Sequence, residues 1–232
     1  MNPIDPPELI YSAGMPRNVR KNSESPATEL SPRRLPTQQR ARETVERVLL
    51  AAGAEIDREG LDKLTTKRIA AAAGLSVGGI YEYFPNKESI VYALADEWLG
   101  KVREAVDAVH PRHGGGRDVI SYLNDQFSLV AKLYEDRPGL GVLIQMLQAM
   151  PPLAGLARKH DEAVAVNVSS ALRHYAPHAG AAAIDAAART IGIVCHDILC
   201  AALVHRVAPA DLLFANLRAC LVAIASPLIL AR

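Results

Sequence analysis

The chain has 232 residues, half of them hydrophobic and 5% aromatic, and a formal net charge of +1 at pH 7. That length holds one or two packed domains, and the alanine- and leucine-rich composition favours helices. Near-balanced charge excludes a polycation that would grip nucleic acid along its whole surface, so any basic footprint must be local.

Residues 1–36 form a Pro-rich extension with prolines at 3, 6, 7, 16, 26, 32 and 36 and few large apolar residues. Such a composition cannot bury a core and is expected to be disordered. Arg33 and Arg34, followed by Arg40 and Arg42, gather positive charge just before the first helix. An arm of this kind can lie along phosphates or enter a minor groove. The first helix is expected over residues 37–59, with Val45, Val48, Leu49, Ala52 and Ile56 on one face and Gly60 at its end.

The next stretch breaks into two short helices. Thr65 is a good N-cap, Ile69, Ala70 and Ala73 recur at helical spacing, and Gly74 offers a left-handed stop. Ser76 caps a second helix expected to run to about Phe84, before Pro85. Two short helices joined by a glycine-containing turn make a helix-turn-helix, whose second helix enters the DNA major groove. Gly78 and Gly79 inside that helix cost it about 1 kcal/mol each against alanine, which suits bare backbone approaching another surface. Tyr81 and Tyr83 place hydroxyls where phosphate oxygens can accept from them. Asn86 reads as an N-cap, and Lys87 in the first turn beyond it opposes the helix dipole. An anion shared by that lysine and the helix amides explains the placement.

Residues 74–88, Gly-Leu-Ser-Val-Gly-Gly-Ile-Tyr-Glu-Tyr-Phe-Pro-Asn-Lys-Glu, resemble the signature of the tetracycline-repressor (TetR) family of bacterial transcriptional regulators. Leu64-Thr65-Thr66, Ile69-Ala70 and the preceding helix extend the resemblance over about residues 38–90. It implies a dimeric, cytoplasmic, ligand-responsive regulator, a repressor, with residues 76–83 in the major groove of each half of a palindromic double-stranded operator. By position, Thr65, Thr66, Tyr81, Tyr83 and Lys87 would hold phosphates, and Lys67 and Arg68 would reach phosphate or a base edge. Val77, Gly78 and Gly79 would face bases, Val77 touching a thymine methyl, with Ser76 opening that helix in the groove. Many family members carry a hydroxyl or basic residue at the positions of Val77 and Gly79. Base readout by hydrogen bonds is therefore thinner here, and the arginine arm or DNA shape counts for more.

A long helix is expected from Lys87 to about His110, with Ile90, Leu94, Trp98, Val102 and Val106 at core spacing. Residues 111–116 form a connection; no strand precedes them and no Gly-Lys-Ser/Thr follows, so they are not a phosphate loop. Further helices are expected over 117–136, 138–150, 153–175, 181–207 and 209–225, with Pro138 in a first turn and Pro151-Pro152 separating two of them. With no strand-like alternation, the fold class is all-α. Three parts are expected: an extension (1–36), a helix-turn-helix DNA-binding domain (37–86) and a helical ligand-binding and dimerisation bundle (87–232). The last two helices are apolar on too much of their circumference for a monomer's surface and are expected to form a four-helix dimer interface.

Catalytic and metal motifs are not found: there is no HExxH, no GxSxG and no paired-cysteine set. Neither an enzyme nor a cofactor is expected, and Lys159-His160-Asp161-Glu162 reads as a solvated face. The odd cysteine count, Cys195, Cys200 and Cys220, points to buried thiols in a reducing compartment. No basic start with an apolar core marks a signal peptide. The apolar run 191–207 is interrupted by His196, Asp197, His205 and Arg206, so no membrane span is expected.

The resemblance further implies a small-molecule pocket among the central helices. Candidate aromatic lining residues are Trp98, Tyr122, Phe127 and Tyr134; candidate polar or adaptable ones are Gln145, Met146, Gln148, Met150 and His196. Two other functions use the same fold: a helical ligand-binding adaptor, and a thiol redox sensor.

Overall fold

The computed structural model describes residues 39–114, 116–135, 139–149 and 151–230. The Arg33-Arg34 pair, Pro138 and Met150 lie outside these residues, as do the side chains of Gln145, Met146 and Gln148. Nine α-helices and no strand are found among the described residues.

Helix α1 (Gln39–Glu59) buries Val48, Ala52 and Ile56 completely. It ends where Gly60 takes φ 79°, its N–H closing on the Ile56 carbonyl. Helices α2 (Thr66–Ala73) and α3 (Val77–Tyr81) stack beneath it around Ile69, Ile80 and Phe84, each fully buried. Helix α3 is shorter than the sequence led us to expect. The Tyr83 and Phe84 amides both turn back to the Ile80 carbonyl, at 3.0 and 2.9 Å. Pro85 then disfavours helical geometry in the residue before it.

Helix α4 (Lys87–Ala108) leaves this unit and runs into the bundle, where it packs on α5 (Val119–Glu135) and α7 (Pro151–Tyr175). Between these lies α6 (Leu140–Ala149), whose start touches α1. The boundary expected at Pro151-Pro152 falls there, with one helix ending at Ala149, but the prolines themselves belong to the first turn of α7, where a missing N–H costs nothing.

The last two helices also depart from expectation. Helix α8 (Ala181–Leu199) gives way to a π-helical turn at Cys200–Val204, marked by His205 N–H donating to the Cys200 carbonyl at 2.8 Å. Helix α9 (Ala210–Leu230) continues past Ala225 and through Pro227. By length and composition alone, Ala181–Val204 and Ala210–Leu230 are each sufficient to cross a membrane, a property the shorter run 191–207 had hidden. They pack against one another and against the bundle, yet Ile193, Leu212 and Leu230 stay 58–77% exposed.

Candidate nucleic-acid interface and central cavity

The caps that set the two short helices follow from single side chains. Thr65 Oγ1 accepts from the Arg68 amide at 3.2 Å, and Ser76 Oγ accepts from the Gly79 amide at 3.0 Å. Between them Gly74 turns the chain at φ 64°, and the Leu75 amide closes back on the Ala70 carbonyl. That conformation is easy only without a Cβ. Asn86 and Ser89 form a reciprocal capping box at the start of α4, with the Ser89 amide donating to Asn86 Oδ1 at 2.7 Å. The Ser89 amide is therefore engaged, so an anion beside Lys87 would have only the earlier amides of that turn.

This local chemistry leaves one face of α2 and α3 uncovered. Lys67, Ser76, Val77, Gly78 and Tyr81 are exposed, while Thr66, Gly79, Tyr83 and Lys87 are half-buried. The Tyr81 hydroxyl lies 3.4 Å from Thr66 Oγ1, linking two of the expected phosphate-holding groups across the helices. Tyr83 is partly buried and packs against the core. A Cβ built at Gly78 would meet nothing closer than Ser76 Oγ at 3.8 Å, and one at Gly79 the same atom at 3.3 Å. Packing within this chain therefore does not require glycine at position 78.

Arg68 points elsewhere. Its guanidinium bonds Glu55 at 2.9 Å and Glu59 at 3.0 Å, fastening α2 to α1, instead of standing free for a phosphate or base edge. Glu55 is buried and also receives Arg58 at 2.6 Å. Hydrogen bonds from Arg68, then Lys63, hold the Glu59 carboxyl below its usual range. The sequence did carry a signal for this: Glu55 and Glu59 stand four apart on one helix face, ready to receive a cation.

A cavity of about 330 Å³ opens between α4, α5, α7 and α8. Of the expected pocket residues, Phe127, Tyr134 and His196 line it; Trp98 lines an adjoining space of about 190 Å³ with Tyr134 and His196. Tyr122 lines neither. It is fully buried, 5.7 Å from the Tyr175 ring, and belongs to the core. Gln126, His160, Asp161 and Asp197 line the larger cavity although the sequence did not single them out for it. His160 and Asp161 were expected on a solvated face. Neighbours on a helix point about 100° apart, so both can border a cavity when the helix runs along its edge.

The polar end of the cavity is knitted from ring nitrogens. His196 Nδ1 lies 3.0 Å from the Tyr134 hydroxyl, and its Nε2 lies 3.6 Å from Cys200 Sγ. Burial, followed by the charge of Arg103, lowers the His160 ring to about 4. Burial pushes the Cys195 thiol up to about 12 and the Cys200 thiol to about 11, so both are protonated near neutrality. Among the described residues no group of three or more His, Cys, Asp or Glu is placed to hold a metal ion.

Comparison with known proteins agrees with this arrangement. Residues 48–94 match the family described as bacterial regulatory proteins, tetR family, and residues 121–223 match the tetracyclin repressor-like C-terminal domain. The chain is 31% identical over 94 residues to YvdT of Bacillus subtilis (strain 168), an uncharacterized HTH-type transcriptional regulator. That match covers 39% of this chain and 47% of the relative, so it spans about half of that protein's length. A tetR-family transcriptional regulator from Streptomyces coelicolor superposes with a TM-score of 0.63 at 21% identity, covering 80% of this chain and 83% of its own. The SmeT protein of a SmeT-triclosan complex superposes at 0.61 with 17% identity, covering 78% and 90%. At such identities the superpositions speak for the fold. The two family matches take in both the helix-turn-helix and most of the helical bundle, and the chain belongs to the TetR family of DNA-binding transcriptional regulators.

Proposed function

We propose that the chain is a ligand-responsive repressor that binds a palindromic operator as a dimer. The observation that carries the reading is the uncovered face of α2 and α3, where the Gly78 backbone is bare although this chain has room for a side chain there. On this reading Thr65, Thr66, Tyr81, Tyr83 and Lys87 contact phosphates together with exposed Lys67, and Ser76, Val77, Gly78 and Gly79 face base edges. Arg68 is assigned to holding α2 against α1, because Glu55 and Glu59 already satisfy it.

Residues 37–86 would then be the reading domain and 87–232 the sensing and dimerisation domain. The exposed apolar side chains of α8 and α9, Ile193, Leu212 and Leu230 among them, would meet their copies in a second subunit in the cytoplasm. The cavity would hold the effector; SmeT, which shares the fold, is described in complex with triclosan. Helix α4 both lines the cavity and begins beside the reading unit, so displacement by a ligand would alter the spacing of two reading heads. A coupling of about 1–3 kcal/mol changes occupancy five- to hundredfold. A thiol sensor at Cys195 or Cys200 is disfavoured by their raised pKa values, which leave little thiolate to react; Cys220, expected to be buried, is exposed.

Selection of random duplex DNA on the purified protein at two salt concentrations tests this reading. An enriched inverted repeat that is lost as salt rises is the expected result. Ligand affinity without any salt-dependent DNA binding would favour a helical adaptor instead.

A further inference from the structure

The central cavity has a charge character of its own. Asp161 and Asp197 stand at its solvent-exposed rim, and neither takes part in an ion pair among the described residues. Arg189, which also lines the cavity, is already engaged: its guanidinium bonds Glu162 at 2.9 and 3.1 Å and Asp185 at 3.1 Å. His160 brings no charge near neutrality, since burial holds its ring at about 4. Partial burial raises the Asp161 carboxyl above its usual range, and the neighbouring His196 offsets this only in part.

Deeper in, Gln126 is 93% buried by its 7% exposure, and its Oε1 has no hydrogen-bond partner. A buried acceptor left unpaired costs free energy that a ligand donor would recover. The rest of the wall is apolar and aromatic, including Phe127, Val130 and Tyr134. Asp161, Asp197 and the Gln126 oxygen thus offer negative charge and an open acceptor, while the one arginine of the lining is engaged with other carboxylates.

We propose that the effector site selects an amine: an apolar, ring-bearing molecule with a protonated nitrogen, held by Asp161 and Asp197, that also donates a hydrogen bond to Gln126. This deepens the ligand-responsive reading and rests on it for its regulatory meaning. An anionic ligand is disfavoured, because it would add like charge to two unpaired carboxylates and find no free cation in the wall.

Three probes of nearly the same shape separate charge from shape: naphthalen-1-ylmethylamine, naphthalen-1-ylmethanol and naphthalene-1-carboxylate. Titrated calorimetrically into the full chain at pH 7, the amine should bind about tenfold or more tighter than the alcohol, and the carboxylate most weakly. The double variant Asp161→Asn/Asp197→Asn should bring amine and alcohol within about twofold of each other. Gln126→Leu should weaken the alcohol, whose hydroxyl is not drawn to the carboxylates and is free to donate to the Gln126 oxygen. Circular dichroism of each variant checks that the fold is retained. Equal or tighter binding of the carboxylate, an amine preference that survives the double variant, or no binding of any probe at millimolar concentration each overturns the proposal. Operator release is read separately on the DNA selected above. An amine that binds with the stated preference but leaves DNA bound upholds the site while removing the ligand-responsive reading.

Discussion

Gly78 and Arg68 show how a single side chain divides between stability and recognition. The Gly78 site has room for a methyl group, and helix propensity rewards it, so Gly78→Ala should raise stability by up to about 1 kcal/mol. On the proposed reading the same methyl group meets the DNA surface and weakens operator binding. Thermal unfolding and a binding titration on one preparation check both halves, and unchanged operator affinity would remove the backbone-approach argument. Arg68→Ala should act in the opposite sense. It leaves the buried Glu55 with Arg58 alone and should lower stability. Because Arg68 is engaged with carboxylates, the salt dependence of DNA binding should keep its slope; a slope flatter by about one unit would return Arg68 to the phosphate contacts.

At the scale of elements, the contact between α6 and α1 ties the helical bundle to the helix-turn-helix unit. Gly139 holds φ 74°, and a Cβ there would stand 2.8 Å from the Gly53 carbonyl oxygen and 3.4 Å from Ile56. Gly139→Ala therefore combines left-handed strain with a backbone clash and should destabilise the protein by roughly 2–3 kcal/mol. A fall in chemical-denaturation midpoint measures it. No fall would mean that the two helices are free to part. The neighbouring chain elements explain where sequence periodicity was misleading. Prolines at 151 and 152 stand inside the first turn of α7 and not before it, because a first turn needs no amide from them, and Pro227 removes one hydrogen bond from an otherwise continuous α9.

For the whole molecule, acid should act in two steps. The ring of His160 is lowered from 6.5 to about 4, so below pH 6.5 the unfolded chain takes up a proton that the folded one refuses. Its contribution is full above about 6.5 and is lost as pH falls toward 4, by about 2 kcal/mol after allowing for partial solvent access. The Asp107 carboxyl is held down at about 2, first by Arg112 and also by His113 and Asn167, against an ordinary 3.8. Its contribution is lost in a separate window as pH falls from about 3.8 through 2. Stability measured from pH 8 to 2 should show both losses, and His160→Asn should remove the upper one alone.

How much of this was legible in the sequence depended on the range of the interaction. Caps act within one turn, so Thr65, Ser76 and Asn86 announced their helices, and Gly74 its left-handed turn, before any fold was known. The all-α class and the family resemblance followed from the same short-range patterns. The cavity did not, because its wall joins residues from four helices whose relative rotation no local pattern records. Phe127, Tyr134 and His196 were expected there, whereas Tyr122 turned into the core and Gln126, His160 and Asp161 turned toward the space. Arg68 was drawn to Glu55 and Glu59 for a similar reason: the pairing exists only once α2 lies across α1. The sequence by itself determined which segments are helical and where the short ones begin. Tertiary structure decided which polar groups were satisfied within the protein and which were left facing a partner, because that depends on distances across elements far apart in the chain.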